Sequence, residues 1–181
     1  MMLRGFLACC AIVLLCVGPR YPANALTRTC QQVSSVAEQC VTGVDTTLIG
    51  NKTAYQSTPV WCWAASIQMV FARYGHTVSQ AEIVRHTFGT VVVSAASDMA
   101  LDAALSGTYM DTGGNNFSVS YSDINPRGGL FDVVAALEND DPLIVTTSHH
   151  AMMLSGLTWV DGTGPMGPAG YTTSAIVRDP W

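Results

Sequence analysis

Between Pro59 and Gly75 the chain carries an apolar helix pattern that opens on a single cysteine, and no other stretch constrains the fold as much. Thr58 is placed to cap this helix and Pro59 to fill its first position, where a missing N–H costs nothing. Ile67, Val70, Phe71 and Tyr74 recur at helical spacing, and Gly75 supplies a left-handed stop. Ala64 and Ala65 keep one side slim enough for another element to pack closely. Cys62 sits at the start, within Gln56-Ser57-Thr58-Pro59-Val60-Trp61-Cys62-Trp63. A thiol there feels the positive end of the helix macrodipole and unpaired backbone N–H groups, and both favour the thiolate. Thiolate is the nucleophilic form. The first expectation is therefore a cysteine-nucleophile enzyme, for which the chain must also supply a base, a group to orient it and an oxyanion donor.

The patterns around this helix change from helical to extended along the chain. Ser79-Gln80-Ala81-Glu82 is a capping box, and it predicts a second helix running through Ile83 and Val84 to Phe88, with Gly89 as its stop. A third helix is expected over 97–105 and a fourth over 130–138, the latter ended by Asn139-Asp140-Asp141-Pro142. A short helix is expected around 31–38. Polar and turn-forming residues from 111 to 129 predict a surface loop with one short strand at 117–121. After Pro142 the residues become β-branched and apolar, which predicts strands over 143–147 and 151–157. A glycine- and proline-rich turn segment follows over 161–170, then a last strand over 171–177. Helices first and strands after give an α+β class, with no internal repeat and no linker.

Residues 1–25 read as a secretory signal peptide: Arg4 is the positive head, the run from Phe6 to Val17 is apolar, and Ala23-Asn24-Ala25 is a small-x-small cleavage site. The run is short for a membrane span of ~20 residues, which ranks an anchor second. A lipoprotein reading through Cys9 or Cys16 ranks lower, because Leu15 stands where a small residue is wanted and Cys9 comes early. The expectation is export to the periplasm or the exterior, one domain over 26–181, and no stable membrane anchor after cleavage. The sequence holds 8 Lys and Arg against 13 Asp and Glu, a net charge of −5, and losing Arg4 and Arg20 takes it near −7. With no basic cluster, that balance argues against a nucleic-acid partner.

Cysteine arithmetic sharpens the reading. Cys9, Cys10 and Cys16 leave with the leader, so Cys30, Cys40 and Cys62 remain in an oxidising compartment. The economical assignment is a Cys30–Cys40 disulfide with Cys62 free. Closing so short a loop stabilises a fold by about 2–3 kcal/mol on the chain-entropy estimate. Zinc is the competing reading, and the absence of C-x-x-C and H-x-x-x-H spacings speaks against it. No metal and no other cofactor is expected. Asn51-Lys52-Thr53 fits a glycosylation sequon, relevant only in a eukaryotic secretory pathway.

A thiol nucleophile needs an imidazole to take its proton near neutral pH. His149 and His150 compete for that role: alternation groups one with Ala151 and Met153 and the other with Met152 and Leu154, and two apolar faces do not separate them. Asp179, beyond the next strand, is placed to fix the imidazolium. Gln56 and the backbone N–H of Cys62 are the candidate oxyanion donors. His76 and His86 lie at helix ends and read as dipole partners. Trp61 and Trp63 read first as packing residues, and beside the thiol they also suit a cleft wall.

Gln56 six positions before Cys62-Trp63-Ala64-Ala65, then His150-Ala151 followed by hydrophobic residues and Gly156, then Val177-Arg178-Asp179-Pro180-Trp181, resemble papain-like cysteine peptidases. The likeness is greatest to the small bacterial branch that includes secreted effector proteases and bacteriocin-leader peptidases, and it covers residues 56–181. It implies that Cys62 is the nucleophile, His150 (rather than His149) the general base, Asp179 the orienting acid and Gln56 the oxyanion donor. It also implies a helical lobe carrying the cysteine, packed on an antiparallel β lobe carrying the histidine, with substrate in the cleft between. Two departures stand out. Pro59-Val60-Trp61 replaces the Cys-Gly-Ser of plant-type members, and the third residue of the triad is Asp rather than Asn. The expected function is an exported monomeric endopeptidase that hydrolyses a protein or peptide substrate through a thioacyl-enzyme. An acyltransferase or deamidase toxin using the same site, and a non-catalytic binding module on the same fold, are the alternatives.

Overall fold

The computed structural model of the chain describes residues 10–17, 26–45, 47, 54–124, 129–164 and 167–181. The expected cleavage site Ala23-Asn24-Ala25 and the sequon match Asn51-Lys52-Thr53 lie outside the described residues. The class is mixed α+β, with antiparallel strand pairing throughout. In chain order the elements are β1 (Cys10–Val17), β2 (Leu26–Ser34), β3 (Ala37–Gly43), α1 (Cys62–Arg73), α2 (Gln80–Phe88), α3 (Asp98–Ala104), β4 (Gly107–Met110), β5 (Asn116–Ile124), α4 (Leu130–Glu138), β6 (Leu143–Thr146), β7 (Ala151–Gly164) and β8 (Gly167–Arg178).

The sheet runs β2-β3-β7-β6-β1-β5-β4, with β8 also paired to β7. β7 is its spine. Gly156 pairs with Gly43 of β3 and with Ile176 of β8, so those two strands occupy opposite edges of β7. β6 lies beside the start of β7, where Thr146 faces Ala151. The apolar stretch of the proposed leader, β1, lies between β5 and β6 in the chain as written, with Leu14 opposite Tyr121 and Ile12 opposite Ile144.

Three expectations about the strands need correction. Residues 31–38 form no helix: they span a hairpin turning at Ser35-Val36, with Cys30 directly opposite Cys40. The long edge of β7 recruits β3, whose Cys40 and Thr42 alternate inward, and this tertiary pairing overrides a weak local helix preference. Strands also precede the helices, so the order is not helices then strands; β2 and β3 join the same sheet as the late strands. The glycine-rich segment 161–170 belongs largely to the ladder. β7 continues to Gly164 and β8 begins at Gly167, with Gly162 fitting against the Val36 carbonyl and Ala37.

The helices follow their local signals closely. Ser79 caps α2 by accepting from the Glu82 N–H, and Gly89 closes it at φ 74°. Ser97 caps α3 in the same manner. α1 ends in a Schellman arrangement, with the Gly75 N–H bonded to Ala72 and the His76 N–H to Phe71. Its start differs from expectation. Thr58 to Trp61 form a turn closed by Trp61 N–H to the Thr58 carbonyl at 3.2 Å, and the helix begins at Cys62. The proline therefore shapes the approach to the helix rather than its first turn.

α1 packs on β7, and α2 packs on α1 and α3. Ile67, Met69, Phe71, Leu105, Leu143, Ile144, Met153 and Trp159 fill the core between helices and sheet. Phe71 meets Tyr109 and Phe117 edge-on at 4.9 and 5.2 Å, joining α1 to β4 and β5. A buried ion pair between Arg73 and Asp140 ties the end of α1 to the end of α4, and Asp140 also accepts from the Asp45 N–H. Asp140 holds φ at 64°, unusual for a non-glycine residue, with both carboxylate oxygens engaged.

Candidate active site

Cys62 is the first residue of α1 and is free and half-buried. The first rung of the helix is Ala65 N–H to the Trp61 carbonyl at 2.9 Å, so the N–H groups of Cys62, Trp63 and Ala64 precede the ladder and stand at the positive end of the dipole. The two flanking tryptophans are buried, and each sends its indole N–H to one extended segment: Trp61 to the Val92 carbonyl at 3.0 Å and Trp63 to the Ser94 carbonyl at 3.2 Å. They pack as expected and also hold residues 92–94 alongside α1.

One turn along the same face, Ser66 is wholly buried and donates from Oγ to the Ala151 carbonyl at 3.1 Å. Ala151 directly follows His150. This bond therefore brings the face of α1 that carries the thiol toward the start of β7 and the histidine before it.

The β6–β7 turn fixes His150. Its carbonyl accepts from the Thr147 N–H at 2.7 Å, and its N–H donates to Thr147 Oγ1 at 3.1 Å. His149 is exposed, whereas His150 is half-buried with both ring nitrogens engaged. Nε2 lies 2.7 Å from Asp179 Oδ1, and Nδ1 accepts from the Trp181 indole N–H at 3.1 Å. Asp179 Oδ1 also accepts from the Trp181 backbone N–H at 3.0 Å. Partial burial pushes the Asp179 carboxyl up, but the opposing effects, led by the His150 hydrogen bond and the Trp181 backbone N–H, prevail, so the group lies below its ordinary range.

Gln56 reaches this region through its backbone, donating to the Pro180 carbonyl at 2.8 Å. Its Oε1 is buried without a hydrogen-bond partner among the described residues. Gln80, itself buried, secures the approach: it donates to the Tyr55 carbonyl at 2.8 Å and accepts from the Ser57 N–H at 2.8 Å. Sequence reasoning misses Ser66, Gln80 and the Trp181 contact. Ser66 is legible in retrospect as the position four after the cysteine, while nothing local marks Gln80.

The remaining candidates lie elsewhere. His76 stacks on Phe117 at 3.8 Å and faces Asp111 at 3.3 Å. His86 stacks on Tyr109 at 4.1 Å and bonds the Ser106 carbonyl at 2.9 Å. Both pair with side chains or loops of other segments rather than simply ending a helix. Cys30 and Cys40 are joined, S–S 2.03 Å. Glu38 lies close to both, but bonded sulfurs supply no thiolate to a metal.

No protein-family model, curated protein or solved structure matches this chain.

Proposed function

We propose that the chain is an exported cysteine endopeptidase with a papain-like arrangement, in which Cys62, His150, Asp179 and Gln56 do the chemistry. The observation that carries the reading is the His150–Asp179 bond in a residue whose neighbour, Ala151, is tied to the cysteine helix by Ser66. A helix-start thiol, an imidazole and a carboxylate with separate roles form the set that acyl transfer through a thiolate requires. Cys62 Sγ attacks the peptide carbonyl carbon while His150 holds the thiol proton. The oxyanion takes hydrogen bonds from the Cys62 N–H and the Gln56 amide. His150 returns the proton to the leaving amine, and the acyl-enzyme is then hydrolysed by a water that His150 deprotonates.

The test is cleavage of a peptide library by wild type and Cys62→Ala, with new N-termini counted. New termini that depend on Cys62 are the expected result. A variant that still cleaves ends the proposal, and Cys62-dependent modification without new termini moves the site to acyl transfer or deamidation. Gln56→Ala is expected to lower kcat by about 10²–10³, the usual loss for one oxyanion donor.

A further inference from the structure

A general base must keep one ring lone pair open for the proton it is to receive. His150 has none open: Nε2 is paired with Asp179 at 2.7 Å, and the Nδ1 lone pair accepts the Trp181 indole N–H at 3.1 Å. An indole nitrogen is donor only, so this contact requires an unprotonated Nδ1. A proton arriving there would meet the indole N–H head-on.

We propose that Trp181 is a self-inhibitory cap on His150, which keeps the nucleophile as a thiol until the indole swings aside. This inference rests on His150 being the base for Cys62. Trp181 is suited to move, being 69% exposed with its ring tilted against the imidazole at 5.7 Å. Its departure breaks the indole bond while the backbone bond to Asp179 Oδ1 can stay. The pairing of Gln56 N–H with the Pro180 carbonyl anchors the segment one residue earlier, so the pivot is short. In the capped state Asp179 and His150 are already aligned. Opening the cap exposes Nδ1, the thiol proton passes to it, and the Cys62 thiolate and His150 imidazolium form as a pair.

The experiment is the rate of Cys62 alkylation by iodoacetamide at one fixed, mildly acidic pH in four full-length proteins: wild type, Trp181→Phe, His150→Ala and the double variant. Phenylalanine keeps an aromatic ring and removes the donor. Trp181→Phe is expected to alkylate roughly three- to tenfold faster than wild type, the scale of one hydrogen bond, and the same change in the His150→Ala background is expected to do nothing. A Trp181→Phe rate at or below wild type overturns the cap and leaves the indole as a shield. An equal acceleration without His150 also overturns it, since the indole would then merely cover the sulfur. Peptide cleavage is read in parallel: His150-dependent acceleration without cleavage by either protein removes the peptidase reading and leaves the cap standing.

Discussion

Ser66→Ala tests whether the cysteine helix and the histidine strand are held by the bond that joins them. Ser66 is 0% exposed and its Oγ donates to the Ala151 carbonyl at 3.1 Å. Among the described residues the other edge of β7 offers no substitute strand, because β8 pairs with β7 only from Met153 onward. Alanine leaves that carbonyl buried and unsatisfied, which costs about 1–3 kcal/mol. At about 2–4 °C per kcal/mol for a chain of this size, the thermal midpoint should fall by roughly 2–12 °C. Urea unfolding should show the midpoint moved and the slope unchanged. Under conditions where both proteins are fully folded, Cys62 alkylation should also slow, because α1 and the start of β7 have lost their common restraint. A stability loss within the ~0.5 kcal/mol typical of a neutral surface change would refute the reasoning, whatever happened to activity.

Further expectations concern other parts of the molecule. Arg73→Met strands the Asp140 carboxylate in a buried site and should destabilise by about 3–5 kcal/mol in urea unfolding. Asp111 is held at about 2 by the Asn115 backbone N–H first, with the Asn115 side chain, His76 and the Gly113 N–H adding to it against a burial cost. Its pKa is lower folded than unfolded, so its stabilising effect is complete above about pH 4 and fades as pH falls toward 2. Asp111→Asn should flatten the acid limb of stability over that window. N-terminal sequencing of exported protein should begin at Leu26. A chain recovered with β1 still attached would instead make Cys10–Val17 a working strand between β5 and β6. Trp63→Phe removes the bond to the Ser94 carbonyl and should raise KM more than it lowers kcat, since it frees the segment beside the thiol without touching His150.

Helices in this chain are written in short-range signals. Ser79, Ser97, Gly75 and Gly89 each act on backbone groups within a few residues, and α4 begins and ends where the apolar run meets Gly129 and Asn139. The placing of Cys62 near a helix start was also visible, although the turn formed by Thr58 to Trp61 moves the first helical residue to Cys62 itself. Strand partners were not. β4 at Gly107–Met110 exists because Tyr109 packs on Phe71 and its register meets Phe117, and the 31–38 segment becomes a hairpin because β7 offers an edge.

The same division runs through the site. Residue types and order name a thiol, an imidazole, a carboxylate and an amide, since each has a fixed chemistry wherever it lies. The half-burial of His150 beside an exposed His149, Ser66 one turn beyond Cys62, Gln80 bonded to either side of Gln56, and an indole against the His150 ring all depend on where distant backbones cross. Helix caps and apolar periods are satisfied within a turn or two of chain, whereas a buried carbonyl takes its donor from whichever segment the packed core brings within 3 Å or so of it.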